Sequence, residues 1–512
     1  MKTIFRNARV LTMNSEDTEY PRATVHVEDG VITVVDSTGD GSTGDVGAAA
    51  SADVRDIDAA GHLLMPGLIN AHFHSSANHL KGSFDSLPLE IFMLYESPPQ
   101  ASALEPRAAY LRTMLGALEM LKSGVTAVLD DAFFVPAPSP ELIDAVMQAY
   151  EDCGIRAVLA LDQPNVPELD KFPYLTDLLP PALRERAAAP PLMDSEGLLG
   201  CYQHLLDRWH DRDRGRLRVA ISGSAPQRLT RDYFQALDDL SRQHDLPFFI
   251  HILETKLQRV LGEERFGGRS LIRYVHEEGF LSDRLNIIHG IWLDESDMDL
   301  IAQAGCVVAH NPISNLRLGS GIMPFQKLRS RGIPLCLGSD EAITDDAVNM
   351  WAVAKLTGLI HNISVPDYQL WPTAGDVLDC LLRGGSRAMR PPRPIGQVSV
   401  GHQADLILVD LDTLSFTPLN DLRRQLVYCE SGTSVRLTMV AGKIVYEHGA
   451  VIGVDEAALR SEAREHAARQ RSANDAALGV AREWLPYYRQ MYLRAAGRDV
   501  GMQRWAGEGR SQ

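Results

Sequence analysis

The sequence predicts an α/β protein: a (β/α)8 TIM-type barrel with a small β-sandwich built from both chain ends. Three observations carry this reading. Between residues 63 and 395, eight short apolar runs of β type alternate with helix-length segments. Two further β-rich segments flank that middle, one near each end of the chain. Histidines and an aspartate recur where the apolar runs stop, and that is where a barrel of this kind keeps its chemistry.

At 512 residues the chain exceeds the roughly 250–300 that one core supports. The expected division is a first sandwich segment at 1–62, the barrel at 63–395, a second sandwich segment at 396–452 and a helical tail at 453–512. In the first segment, 24–27 and 30–35 bracket Asp29-Gly30, a strong hairpin signal. Residues 37–52, rich in Gly, Ser and Ala, read as a mobile loop. The returning segment has a turn into a strand at 401–410, then a hairpin over 437–445 with Ala441-Gly442 at its bend.

The eight barrel runs are 64–69, 125–130, 156–161, 217–221, 247–250, 285–288, 306–309 and 334–337. Leu111, Met114, Leu115, Leu118 and Leu121 keep helical spacing, and Gly124 follows as a stop. Residues 162–210 are long and proline-rich, which suits either a lid over the barrel mouth or an external packing excursion. The tail carries Trp484, Tyr487, Tyr488 and Tyr492 on a helical pattern, as expected of a helix packed on the body or on another subunit.

Composition excludes several classes. A formal net charge of −17 gives no basic stripe for a phosphate backbone, so nucleic acid is not the expected partner. Six scattered cysteines without a C-x-x-C pair read as reduced core thiols, and no apolar stretch reaches the ~18 residues of a membrane span. With no signal-type apolar stretch after Met1, a cytoplasmic protein is expected.

His72 and His74 stand at i and i+2 in Pro66-Gly67-Leu68-Ile69-Asn70-Ala71-His72-Phe73-His74, so a strand points both to one side. That is the geometry of a rigid metal-ligand pair. The fifth, sixth and seventh runs end in His251, His289 and His310, and the eighth in Gly338-Ser339-Asp340. Barrel geometry brings these ends to one pocket.

On these motifs the sequence resembles the amidohydrolase superfamily. The resemblance also rests on the 7–12 strand, the His251-x-x-Glu254 step, the His310–Gly321 stretch and the strands at 401–410 and 440–445. Within the superfamily the chain is similar to the branch of cytosine, guanine and S-adenosylhomocysteine deaminases and triazine hydrolases. That resemblance implies His72, His74, His251 and Asp340 as metal ligands, Glu254 as proton shuttle and His289 as the residue orienting the metal-bound water. Relatives with two metals usually carry a lysine at the end of strand four, whereas here the run is Val219-Ala220-Ile221-Ser222-Gly223-Ser224. One divalent ion is expected, zinc first, with iron or manganese as alternatives.

Three imidazoles and a carboxylate leave an open position for water, whose pKa such an ion lowers from 15.7 toward about 7. The expected reaction is attack of metal-bound hydroxide on a ring carbon bearing an amine, with Asp340 also passing a proton to the departing ammonia. The substrate class is a small aminated N-heterocycle such as a purine, pyrimidine, pterin or triazine. Hydrolytic dechlorination or cleavage of a non-peptide C–N bond is the alternative use of the same site; a non-catalytic scaffold would lack the ligands. Substrate contacts are expected from Gln227, Trp292, His310, Asn315 and Glu341, with His310 alternatively fixing a loop. Tyr95-Glu96-Ser97-Pro98-Pro99 is expected near the mouth. Glu341 stands where many relatives of the branch carry a small residue, and either an amino group of the substrate or a neighbouring lysine or arginine is its expected partner; His79-Leu80-Lys81-Gly82 stands where several relatives place an arginine before glycine. A homodimer or higher homo-oligomer is expected.

Overall fold

The computed structural model describes residues 2–37, 54–98 and 103–506. Beyond residue 37, the loop expected at 37–52 lies outside the described residues, as does Pro99.

Eight parallel strands form the barrel. In chain order they are Leu68–His74, Val125–Ala132, Arg156–Leu161, Leu217–Val219 continuing as Ile221–Ser222, Phe248–Ile252, Leu285–His289, Val307–His310, and Leu335–Leu337 continuing as Asp340–Glu341. Strands one to four pair in one arc and strands four to eight in another. The arcs share strand four, which changes neighbour at Ala220: the Ala220 N–H donates to Leu159 O, and the Ile221 N–H to Pro247 O. They meet again at strand eight, whose last residues pair with strand one in the register Asp340↔Phe73 and Glu341↔His74. This pairing closes the ring and sets Asp340 beside the two histidines of strand one. Almost every strand residue is buried, because helices cover the outside and small apolar side chains such as Ala71, Ala127, Ala160, Ala220 and Ala309 fill the inside.

The first barrel strand begins later than the sequence run suggests. Residues His62–Pro66 belong to the accessory sheet, the Gly67 N–H donates to Asp405 O, and only from Leu68 does the chain pair within the barrel. An apolar run cannot mark this change of sheet, since both halves are buried.

Among the described residues the accessory sheet has nine strands, drawn from both ends of the chain. Glu19–Glu28 and Val31–Asp36 form a hairpin, with Asp29 and Gly30 both at positive φ. Val435–Val440 and Lys443–Glu447 form another, with Ala441 and Gly442 likewise. Positive φ at both central residues is the two-residue turn that matches strand twist. The tips meet, for a Cβ on Gly442 would stand 2.6 Å from Gly30 Cα. The sheet therefore curls on itself around Phe5, Val25, Val27, Leu64, Leu406 and Met439. A buried ion pair ties it to the barrel: Arg156 Nε reaches Asp405 Oδ2 at 2.6 Å, and Nη2 reaches Oδ1 at 3.0 Å.

The proline-rich stretch after strand three divides in two. Its last third, Ser195–Trp209, is a barrel crossover helix, with Tyr202 buried and its hydroxyl accepting the N–H groups of Leu161 and Ser222. Only the residues before it form an excursion, and the long helix Glu456–Ala496 holds them through Tyr488, whose hydroxyl donates to Glu168 Oε1 at 2.8 Å. That helix packs on the body through Ala481, Trp484, Tyr488 and Met491. Five of the six cysteines are buried, but Cys429 is exposed at a helix end, so the core-thiol expectation fails there. Among the described residues no helix is long and apolar enough to cross a membrane.

Candidate metal and catalytic site

His72 and His74 lie on one side of strand one, as the i, i+2 spacing requires. Asp340 Oδ1 sits 3.1 Å from His72 Nε2 and 3.5 Å from His74 Nε2. From strand five, His251 brings its Nε2 to 3.2 Å from that of His72. The outer ring nitrogens of two of these histidines are engaged by backbone. His74 Nδ1 donates to Asp131 O at 2.5 Å and His251 Nδ1 to Ser224 O at 2.8 Å. This fixes the tautomers so that both Nε2 lone pairs face the centre, with Asp340 among them.

Inward lone pairs and a carboxylate at such separations repel unless a cation or protons stand between them. The titration behaviour reflects that. Burial lowers His72 to about 4 and drives His251 well below its ordinary value. His74 is raised to about 9: burial opposes protonation, but the charges of Asp340, Asp131 and Asp162 outweigh it. Asp340 is held well below the carboxylate range; burial acts the other way, and the His72 hydrogen bond with the charges of His289, His72 and His74 prevails. Three imidazoles and one carboxylate with fixed, convergent donors fit a divalent transition ion.

Beside this cluster stand Glu254 and His289. Glu254 Oε2 is 3.5 Å from His289 Nε2, and Asp340 Oδ2 is 3.9 Å from the same atom. Asn315 Oδ1 accepts from His289 Nδ1 at 2.8 Å, which leaves Nε2 facing the two carboxylates. Ser320 Oγ donates to Glu254 Oε1 at 3.3 Å. Burial raises the Glu254 carboxyl, with Asp340 adding to the rise and His289 and Arg228 opposing it. Positive backbone φ recurs at these strand ends, at Ser224 (49°), Leu253 (53°), His289 (70°) and Asp340 (62°). For residues with a Cβ this conformation costs about 1–2 kcal/mol each, and such strain collects at functional sites.

A cavity opens over the cluster. It is lined by His74, His251, Glu254, His289, Asp340 and Glu341, and also by Leu89, Phe92, Met93, Glu96, Phe133, Asp162, Arg228, Leu318 and Thr344. Of the substrate contacts expected from sequence, Glu341 alone lines it. Trp292 is wholly buried, its indole N–H donating to Ser320 O and its ring against Trp505. His310 turns away to His361, with Nε2 atoms 3.0 Å apart, and both rings pack near Phe325. Asn315 acts behind His289, and Gln227 opens on a neighbouring cleft with Glu90 and Leu257. Lys81 is ion-paired with Glu119.

Sequence reasoning missed Asp131, Asp162 and Arg228. Asp131 lies in strand two beyond Asp130, where the apolar run stops, and Asp162 directly follows strand three. A carboxylate after each of these runs was a readable signal. Asp130 itself supports the loop after strand one, accepting from the Ser75 N–H at 2.9 Å and the Tyr150 hydroxyl at 2.7 Å.

A closed parallel barrel with a His/Asp cluster at the strand ends defines a metal-dependent hydrolase architecture. The model of the amidohydrolase family matches residues 63–445, and the chain belongs to that family. It is 31% identical over 441 residues to a 5-methylthioadenosine/S-adenosylhomocysteine deaminase of Nitratidesulfovibrio vulgaris, covering 86% of this chain and 92% of the relative. Among solved structures, an adenosine deaminase from Xanthomonas campestris with bound zinc matches with a TM-score of 0.79 at 27% identity, covering 92% of this chain and 98% of that one. The atrazine chlorohydrolase of Arthrobacter aurescens complexed with zinc shares the fold, with a TM-score of 0.77 at 20% identity over 90% of this chain and 99% of that one.

Proposed function

We propose that this protein is a hydrolytic aminohydrolase that releases ammonia from a small aminated N-heterocycle, using one divalent ion, zinc by preference. The observation that carries the reading is the convergence of His72, His74, His251 and Asp340 beside the Glu254–His289 pair under a single cavity. The deaminase relatives and the zinc-bound adenosine deaminase structure support it.

In this reading His72, His74, His251 and Asp340 hold the ion. When bound, it supplies Lewis acidity that lets a water ionise near neutral pH. Glu254 takes the water proton and delivers it to the ring nitrogen adjacent to the amine-bearing carbon, which makes that carbon electrophilic. Burial raises its carboxyl above the ordinary value, so it holds the proton more firmly than an exposed carboxylate would, which suits a group that must first accept a proton and then deliver it. His289, with Nδ1 committed to Asn315, hydrogen-bonds the attacking oxygen through Nε2. As the C–N bond breaks, the second oxygen of Asp340 takes the remaining proton from the attacking oxygen and passes it to the leaving nitrogen, so that water and the amine become a ring oxo group, or its hydroxyl tautomer, and ammonia.

The test is metal content by elemental analysis with ammonia release from adenosine-type nucleosides, guanine, cytosine, pterins and triazines. About one equivalent of metal per chain and ammonia from one of these rings is the expected result. Two equivalents would refute the single-ion assignment. A metal-loaded enzyme that releases no ammonia from any of them would refute the aminohydrolase reading.

A further inference from the structure

Three carboxylates in the cavity have no role in the reaction above. Glu341 ends strand eight, Asp162 follows strand three and Glu96 ends the helix Leu89–Glu96. All three line the cavity. Glu341 and Asp162 belong to the arc built on strand one, whereas Glu254 and His289 stand on the opposite arc. A ring lying over the ion therefore has one edge toward Glu254 and another toward these acids.

Two of these acids, Asp162 and Glu341, each have a buried oxygen without a partner. The carboxyls of Glu96 and Glu341 are within hydrogen-bonding reach of each other, yet Glu341 Oε2 is buried without a partner. Asp162, on a separate element, is only 6% exposed, and its Oδ1 is likewise unpartnered. Apart from the histidines, Arg228 is the basic side chain that lines the cavity among the described residues, and it directs its guanidinium to Ser224 Oγ at 3.3 Å and Met93 Sδ at 2.8 Å. Buried carboxylates without donors are costly, and what enters the cavity can supply the donors.

We infer that Glu96, Asp162 and Glu341 form an acceptor wall that reads an amidine- or guanidine-type edge, H–N–C–N–H, on the substrate. Two parallel N–H donors match carboxylate oxygens as a guanidinium does, and an exocyclic amine is a natural donor to Asp or Glu. The favoured substrates are then donor-rich rings carrying a second amino group or a positive charge, while acidic and oxo-rich rings are excluded by repulsion between acceptors. The inference takes its use of the cavity from the aminohydrolase reading and deepens it to a substrate class.

Binding separates the two. Calorimetry on the metal-loaded enzyme would compare 2,4-diaminopyrimidine with uracil, two rings of one size. Wild type should bind the diamino ring at least about tenfold more tightly, and Glu96→Gln, Asp162→Asn and Glu341→Gln should each shrink that preference by about tenfold. Metal content should stay constant. Uracil binding as tightly as the diamino ring, no binding of the diamino ring, or a preference that survives all three substitutions would overturn the inference. So would loss of metal in Asp162→Asn, because His74, Asp162 and His251 also lie close enough to share an ion. Thermal unfolding identifies any variant that fails to fold; the wild-type comparison and the remaining variants still decide. A retained preference without ammonia release from any ring would sink the proposed function and leave the acceptor wall standing.

Discussion

Gly338 lies two residues before Asp340, where strand eight passes strand one, and a single methyl group there should disable the site. An alanine Cβ would stand 2.5 Å from Asn311 Oδ1 and 2.7 Å from both Cβ and O of His72. Ordinary contact begins near 3.4 Å, so the His72 backbone must retreat by about 0.7 Å. The other contact, Asn311, has its Nδ2 3.3 Å from His289 Nδ1, so the same methyl disturbs both arcs of the barrel. Displacements approaching 1 Å in a positioned group cost on the order of 10²-fold in rate. Overpacking a filled interior costs about 1–3 kcal/mol of stability. Gly338→Ala should therefore lower kcat/KM about a hundredfold and weaken metal retention during dialysis, with a modest fall in Tm. Gly200 is the control: it is a helical glycine where an added methyl would meet nothing within 4 Å, and alanine there should leave both readings intact. Full activity and full metal content in Gly338→Ala would refute the idea that the strand-one to strand-eight contact sets the ligand geometry.

Glu254→Gln keeps the shape and removes the base, so turnover should fall by about 10²–10⁴-fold while elemental analysis finds the metal unchanged. Arg156→Met leaves Asp405 buried without its counter-charge and should cost about 3–5 kcal/mol in denaturant unfolding; Asp405→Leu added to it should recover much of that loss. Glu90 offers a pH test away from the ligands. Burial raises its carboxyl to about 7, its Oε1 accepts from Thr255 at 2.6 Å and its Oε2 has no partner. A raised carboxyl means that the folded state holds the proton more tightly than the unfolded chain. Its contribution is thus fully present below about pH 4.5 and is lost as pH rises through 7, up to about 3 kcal/mol. Glu90→Gln should flatten that section of the stability–pH curve, and an unchanged curve between pH 5 and 8 would reject the assignment.

What sequence reveals about this molecule follows from what is local in it. The His-x-His pair is legible because two-residue alternation alone puts both rings on one side of a strand, and Asp340 because it closes the eighth apolar run. The two hairpins are legible from Asp29-Gly30 and Ala441-Gly442, since the turn itself demands positive φ. Side-chain direction beyond a strand end is not local. His310 ends strand seven as His289 ends strand six, yet His289 is held by Asn315 over the cavity and His310 is captured by His361, a residue 51 positions on. The members of the acidic wall are each legible, Glu341 and Glu96 as residues near the mouth and Asp162 as the carboxylate after the third run, but their meeting is not: they come together only because strands eight, one, two and three are neighbours in the ring. Register completes the contrast. Strand eight departs from strand seven after Leu337 and rejoins strand one at Asp340, itself at φ 62°, and that local distortion carries the carboxylate to His72 and His74. A backbone held in so unfavourable a conformation persists only if the surrounding packing over-determines it, which is the work that Gly338, Ser339 and Asn70 do through close approach and paired hydrogen bonds.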